Sequence, residues 1–258
     1  MPNQQYSLDF DNNVNNDIEP NLSVDKCIIT TEKMIQFLLS EEEIKNIIIK
    51  AKDNNLISQR DNLRNRHPNI QFDCILRGYI GEYAVKKWFN FNGIEISTNQ
   101  LLLGENMDID FLYKDKNIEL KTSLIPDADI TIDNVILNRD IKLIKRENKI
   151  EDLKGDIHAQ IYFNQRRKAK DDWLRQQEID LNSNDVNYLF DKIGADRYEK
   201  DTFLISWIDK PTLINKINSM EESERTWSFG SSKREFWKCK INDCRKPIEL
   251  IEYLKKLN

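Results

Sequence analysis

The sequence has few residues of the kinds that build histidine- or cysteine-centred sites. Its 258 residues include two histidines, His67 and His158, and four cysteines. A structural zinc site takes four Cys or His ligands, usually as two close pairs. Cys239 and Cys244 are close in sequence, but no second pair accompanies them. We therefore expect reduced thiols without a zinc site, and a chemistry that does not depend on a histidine base.

Long apolar runs are also absent. A membrane-spanning helix requires roughly 18 or more consecutive apolar residues, and no run in the sequence approaches that length. The first residues, MPNQQYSLDFDNN, are polar and acidic, unlike a secretory signal. These features predict a cytoplasmic protein with no membrane partner.

Positive charge is not in excess. The chain has 39 Lys and Arg residues against 44 Asp and Glu residues, which gives a formal net charge of −5. The overall charge therefore gives no sign of nucleic-acid binding, and any basic surface has to be local. Hydrophobic residues make up 39% of the chain, enough for a packed core.

Composition and helix signals divide the chain into three regions. Residues 1–26 are rich in Asn and Asp and lack periodicity, which indicates a flexible arm. Residues 27–70 are expected to be a helical region, because Ser40 and Glu43 form a capping box before an apolar stripe. Residues 71–258 would then be the main domain, with an elaboration at its C-terminal end.

The remaining patterns alternate between helix and strand. The first helix should end at His67-Pro68, and a second helix is expected from about Arg77 to Phe91. The segment DADITIDNVILN resembles an extended segment, and Asp156 to Gln165 alternates as a strand does. Helices followed by strands with intervening helices indicate an α/β (α+β) fold.

The segment MDIDFLYKDKNIELKTS, from Met107 to Ser123, reads as a β-hairpin with many charges. A two-residue turn at Asp115-Lys116 would place Asp110 opposite Lys121. Alternation along the strands puts charged side chains on one face of the hairpin. These side chains are Asp108, Asp110, Glu119 and Lys121.

Such a charged face allows two interpretations. Cross-strand ion pairs on a solvated face are common and contribute about 0.2–1 kcal/mol each. Alternatively, carboxylates this close raise each other's pKa, and a divalent cation relieves their repulsion. Oxygen ligands of this kind suit Mg²⁺, which can activate a water molecule and stabilise charge on a phosphodiester.

Further features of the sequence favour the second interpretation. Asp110 precedes the run Ile118-Glu119-Leu120-Lys121, and an upstream helix carries Gly78-x-x-Gly81-Glu82. Together these motifs resemble the PD-(D/E)XK nuclease superfamily over about Gly78 to Gln165. The resemblance implies a restriction-endonuclease-like core, with a mixed central sheet flanked by helices and an added helical N-terminal region.

The resemblance also implies roles for individual residues. Asp110 and Glu119 would bind Mg²⁺, Lys121 would be the catalytic lysine, and Glu82 would aid metal or water placement. Asp108 competes with Asp110 for the aspartate role, because both share one face. The superfamily's proline is missing, since Met107 and Ile109 precede the two aspartates.

Candidate DNA contacts follow the hairpin. Gln160, on the strand from Asp156, could hold a metal-bound water or a phosphate, or could simply be an outer-face polar residue. His158 shares its face and is interpreted as a hydrogen-bonded surface residue. A basic run directly after this strand could contact phosphates. This run contains Arg166, Arg167, Lys168 and Lys170.

The resemblance therefore implies a Mg²⁺-dependent endonuclease that hydrolyses double-stranded DNA, with a type II enzyme of a restriction-modification system as the leading interpretation. Cutting both strands favours a homodimer, because a two-fold duplex site matches a two-fold protein. The alternatives are a non-catalytic nucleic-acid-binding protein of the same fold, and a structure-specific repair or recombination nuclease or RNA nuclease.

Overall fold

The computed structural model describes residues 28–55, 66–98, 109–228 and 234–257. The expected N-terminal arm, residues 1–26, and Asp108 lie outside these ranges. No helix within the described ranges is long and apolar enough to cross a membrane.

The described ranges contain helices and strands in alternation. The helices are α1 (Glu41–Asn55), α2 (Pro68–Phe91), α3 (Ile132–Asn138), α4 (Arg167–Gln176), α5 (Val186–Ile193), α6 (Lys210–Asn218) and α7 (Glu249–Lys256). The strands are β1 (Ile28–Thr30), β2 (Ile35–Phe37), β3 (Ser97–Thr98), β4 (Phe111–Tyr113), β5 (Lys116–Ile125), β6 (Leu143–Ile144), β7 (Ile157–Arg166), β8 (Thr202–Asp209), β9 (Thr226–Ser228) and β10 (Glu235–Trp237).

The main sheet has seven strands in the order β1-β2-β8-β7-β5-β4-β3. Strands β5 and β7 are parallel, and the other neighbours are antiparallel. A smaller sheet has the order β6-β10-β9. The mixed sheet with helices on both faces confirms the expected α/β class.

Two apolar clusters cover the two faces of the main sheet. One contains residues of α1, α2, α5 and α7. The other contains residues of α3, α6 and the small sheet. Successive residues of β5 point to opposite faces. Ile118, Leu120 and Leu124 therefore enter the first cluster, while Glu119 and Lys121 point to the opposite face.

The N-terminal part of the structure differs from the expected helical region. It begins with β1 and β2, which join the main sheet beside β8. The capping box is present, because Glu43 N–H donates to Ser40 Oγ at 3.2 Å and Ser40 N–H donates to a Glu43 carboxylate oxygen at 2.8 Å. The side chains of α1 join the same cluster as α2, so residues 28–55 share the domain core.

Two expectations about the helices were wrong, and helix capping explains both. Helix α2 begins at Pro68, nine residues before the expected start, because proline suits the first turn and His67 caps it. The segment expected to be extended forms α3, because Thr131 and Asn134 complete a capping box.

The hairpin register was also wrong, by two residues. Phe111 pairs with Ile118 and Tyr113 pairs with Lys116, so the turn residues are Lys114 and Asp115. Lys114 adopts a φ of 51° there. Both registers place Phe111 on the apolar face, so alternation alone could not distinguish them. A shift of two residues leaves every side chain on its original face, so the charged residues still share one face of the hairpin.

Candidate active site

The candidate site lies on the charged face of β5. Glu119 is buried, at 9% exposure, and its Oε1 atom is 2.5 Å from Lys121 Nζ. Asp110 immediately precedes β4, and its side chain accepts a hydrogen bond from the Leu120 N–H at 2.6 Å. This bond ties one Asp110 oxygen to the backbone of β5 between Glu119 and Lys121.

Burial and neighbouring carboxylates dominate the electrostatics of Asp110. Burial raises the pKa of Asp110 to about 8, and the negative charge of Glu82 adds to the increase. The Leu120 N–H and the positive charge of Lys121 lower the pKa, but they do not offset the increase. Glu82 belongs to α2, so the helix and the hairpin bring separate carboxylates into one site.

Glu119 has the opposite electrostatic character. Burial raises its pKa, but interactions with His158 and Lys121 outweigh burial and lower the pKa to about 2. His158 is adjacent to Glu119 in the parallel register of β5 and β7. Its Nδ1 atom is 2.9 Å from Glu119 Oε2, although the N–H is not aligned as a hydrogen bond. Glu119 is therefore charged and held at both oxygens.

Gly155 allows His158 to approach Glu119 this closely. A Cβ atom at position 155 would meet His158 Cε1 at 2.7 Å and Glu119 Cβ at 3.3 Å. Real Cβ atoms do not tolerate the first distance, so any larger residue would displace His158. His158 itself is only 2% exposed, so the interpretation of a surface histidine was wrong.

A cavity of about 140 Å³ opens beside Glu119. Its lining includes the carboxylate of Glu147 and the basic side chains of Arg146 and Lys154. One Glu147 oxygen is buried without a hydrogen-bond partner in the described part of the chain. Charged side chains of both signs therefore line the space next to Glu119.

The donor atoms of the site suit a hard divalent cation. Asp110 and Glu119 supply carboxylate oxygens, and burial together with the negative charge of Glu82 raises the pKa of Asp110. Within the described ranges, no group of three or more His, Cys, Asp and Glu side chains is positioned to hold a metal ion. Asp108, the competing ligand, lies outside those ranges.

Comparison with known proteins gave no relative. The chain matches no protein-family model, no curated protein and no solved structure. The nuclease resemblance therefore depends on the short sequence motifs alone.

The expected DNA-contact residues fall into two groups. Arg166, Arg167 and Lys168 are exposed at the start of α4. Gln160 is fully buried, and its amide donates to the carbonyl of Lys121 at 2.9 Å and accepts from the N–H of Lys142 at 3.1 Å. It therefore supports the strand carrying Lys121 and is not an outer-face residue.

Lys170 does not belong to the exposed basic run. It is 5% exposed, and its ammonium donates to the Ile193 carbonyl at 2.6 Å. Burial lowers the pKa of Lys170 to about 8 despite the nearby charge of Asp73. The expected phosphate contact was wrong here, because helical periodicity turns this residue of the run toward the core.

Sequence reasoning did not identify Lys142 or Glu147, and it misplaced His158. Only His158 had a usable signal, because it shares strand parity with Gln160 and lies on β7, the strand that pairs with β5 beside Glu119. Lys142 and Glu147 lie in irregular chain near β6, where neither strand nor helix periodicity indicates the direction of a side chain.

Proposed function

We propose that this chain is a Mg²⁺-dependent endodeoxyribonuclease that hydrolyses DNA phosphodiester bonds with a PD-(D/E)XK set of site residues. The supporting observation is that α2, the β4 entry and β5 bring the motif side chains into electrostatic contact around Asp110. These side chains are Glu82, Asp110, Glu119 and Lys121. They are separated in sequence, so the fold is responsible for their grouping.

The roles in the proposed reaction follow from charge and burial. Asp110 and Glu119 would hold Mg²⁺, which supplies an activated water and offsets phosphate charge when bound. Lys121 holds its ammonium against Glu119, where it can stabilise the negative charge that develops on the phosphoryl oxygens. Hydrolysis adds hydroxyl to phosphorus and a proton to the 3′ oxygen, which leaves a 5′-phosphate.

The finer proposal is a type II restriction enzyme acting as a homodimer. A duplex site with two-fold symmetry is cut on both strands most simply by two copies of one chain. Discrete fragments from a sequenced plasmid would support this proposal, whereas nicking or cutting at branched DNA would favour a structure-specific nuclease. Cleavage of RNA alone would favour the RNA nuclease.

A non-catalytic nucleic-acid-binding protein is the second candidate. It is favoured by the contacts of Glu119, because one carboxylate oxygen faces Lys121 and the other faces His158. A metal ion would have to compete with these two side chains. Binding of duplex DNA without cleavage under any divalent cation would support this candidate and contradict the proposed activity.

Incubation of supercoiled plasmid with the protein and Mg²⁺ tests the proposal. We expect cleavage by the wild type and a loss of about 10²-fold or more in Lys121→Ala, because a positive charge facing the phosphoryl oxygens is removed. Lys116→Ala is the matched control, since Lys116 is a β5 lysine paired with Asp115 in the turn. Normal cutting by Lys121→Ala would show that the site assignment is wrong.

A further inference from the structure

Cys239 and Cys244 form a close pair of thiols after β10, far from the candidate active site in sequence. Their Sγ atoms are 3.7 Å apart, and both cysteines are free. A disulfide bond joins two sulfurs at about 2.05 Å, so each Sγ would have to move by about 0.8 Å toward the other. Rotation of the two side chains supplies a movement of this size. The reduced pair is therefore already placed for bond formation.

The two thiols differ in their access to solvent. Cys239 is 1% exposed and belongs to the apolar cluster that contains α3 and α6, whereas Cys244 is partly exposed. Cys244 Sγ is also 3.3 Å from the Lys240 carbonyl, so its S–H can donate to that oxygen or to Cys239 Sγ. A hydrogen bond from Cys244 lowers the pKa of Cys239, and the thiolate is the reactive form of cysteine. A reagent from solvent therefore meets Cys244 first, with Cys239 directly behind it.

Backbone hydrogen bonds hold both ends of the segment between the cysteines. The Ile141 N–H donates to the Cys239 carbonyl at 2.9 Å. Arg245, which follows Cys244, exchanges two backbone hydrogen bonds with Trp207 of β8, at 2.8 and 3.2 Å. A disulfide would therefore close a short ring whose two ends are already fixed on the sheets, and the bond can form within the native backbone.

A soft metal ion is the other ligand that two neighbouring thiols can attract. A structural zinc site takes four ligands. Within the described ranges, no third His, Cys, Asp or Glu side chain joins the pair in a group that could hold a metal ion. The geometry of the pair thus favours a bond between the two sulfurs.

We propose that Cys239 and Cys244 form a reversible disulfide by exchange with a low-molecular-weight disulfide. Cys244, as a thiolate, attacks one sulfur of the reagent, and one thiolate leaves. The Cys239 thiolate then attacks the Cys244 sulfur of the mixed disulfide, and the second thiolate leaves. The two protons lost by the cysteines balance the two released thiolates, and the two electrons given up by the pair reduce the reagent. The proposal is independent of the nuclease proposal, because it uses no residue of the candidate active site.

Equilibration of the reduced chain in mixtures of oxidised and reduced glutathione, with EDTA present, tests the proposal. We expect two of the four thiols to be lost together, as counted by alkylation and mass spectrometry, and an excess of reduced glutathione to restore them. Trypsin cleaves after Lys240, so the oxidised protein should give a peptide ending at Lys240 joined to one that contains Cys244. The oxidised protein should unfold about 4–8 °C above the reduced protein, because the closed ring restricts the unfolded chain.

Cys74→Ser is the matched control, since Cys74 lies in α2 and contacts Arg77. This variant should still lose two thiols together, whereas Cys244→Ser should give no joined peptide at Cys239. Glutathione attached to Cys244 without a link to Cys239, or a link from either cysteine to Cys27 or Cys74, would overturn the proposal. Joined peptides in an oxidised protein that unfolds below the reduced one would show that the fold does not accept the bond, and would overturn it as well.

Discussion

Asp110 is half-buried, and burial together with the negative charge of Glu82 raises its pKa from an ordinary value near 3.8 to about 8. Between these two values the folded chain binds more protons than the unfolded chain. The free energy of unfolding therefore falls as the pH rises through this window, because the folded state must accept an unfavourable charge. The charged form of Asp110 therefore lowers the free energy of unfolding, and a bound cation would offset this loss by balancing its charge.

Asp110→Asn tests this interpretation without reference to catalysis. The neutral amide keeps an oxygen for the Leu120 N–H and removes the buried charge, so we expect the variant to be more stable than the wild type at pH 8 by about 1–3 kcal/mol. At pH 4 the two proteins should differ little. Urea unfolding across this range measures the difference.

Asp115→Asn provides the control for this experiment. Asp115 lies in the exposed hairpin turn, where the Lys116 ammonium lowers its pKa. The free energy of unfolding of Asp115→Asn, relative to the wild type, should therefore not increase between pH 4 and pH 8. A stability difference for Asp110→Asn that does not change with pH would contradict the raised pKa.

At the residue level, the sequence predicted the shared face of Glu119 and Lys121, but the expected position of Asp110 opposite Lys121 was wrong because the hairpin register differs by two residues. Alternation correctly placed Glu119 and Lys121 on one face, because strand periodicity depends only on the local backbone. The contact between Glu119 and His158 depends on the register of β7 beside β5, which involves residues 39 positions apart in the chain. No local pattern could provide that register.

Among the structural elements, α2 brings Glu82 to the site by packing closely on the sheet. A Cβ atom at Gly81 would meet Thr122 Cγ2 at 2.6 Å and Ile161 Cδ1 at 3.1 Å. The absence of a side chain at position 81 therefore sets the distance between α2 and the strands β5 and β7. This gives a packing reason for the glycine that precedes Glu82 in the motif.

Gly81→Ala should accordingly destabilise the protein by about 1–3 kcal/mol, because the added methyl group forces the helix and sheet apart. Gly78→Ala is the matched control in the same helix, since a Cβ atom there meets nothing within 4 Å. Alanine favours the helix over glycine, so Gly78→Ala should stabilise by up to about 1 kcal/mol. Thermal or urea unfolding of both variants gives the signs, and equal effects would contradict the close contact at position 81.

The elements themselves were predictable to different degrees. Strand β7 was predicted to within one residue at each end, because its apolar alternation is uninterrupted. Helix α3 was missed, because its β-branched residues suggest a strand and only the Thr131 capping box indicates the helix. The order of strands in the sheet depends on contacts between segments that are distant in sequence. The sequence therefore indicated the fold class but not the strand order.

For the whole molecule, the proposed function links metal binding to folding. An ion that binds the folded chain and not the unfolded chain adds RT ln(1 + [L]/Kd) to the free energy of unfolding. At about 100 times Kd this amounts to about 2.7 kcal/mol. For a chain of this size, that corresponds to an increase of about 5–10 °C in the unfolding temperature.

We therefore expect Mg²⁺ to raise the unfolding temperature of the wild type at pH 8, where a bound cation balances the charge of Asp110. Asp110→Asn and Glu119→Gln should lose most of this increase, because each removes one proposed ligand charge. Asp115→Asn should keep it, since its carboxylate lies in the exposed turn. Calorimetry with increasing Mg²⁺ measures the shifts, and an equal increase in all four proteins would indicate a general salt effect and contradict metal binding at Asp110 and Glu119.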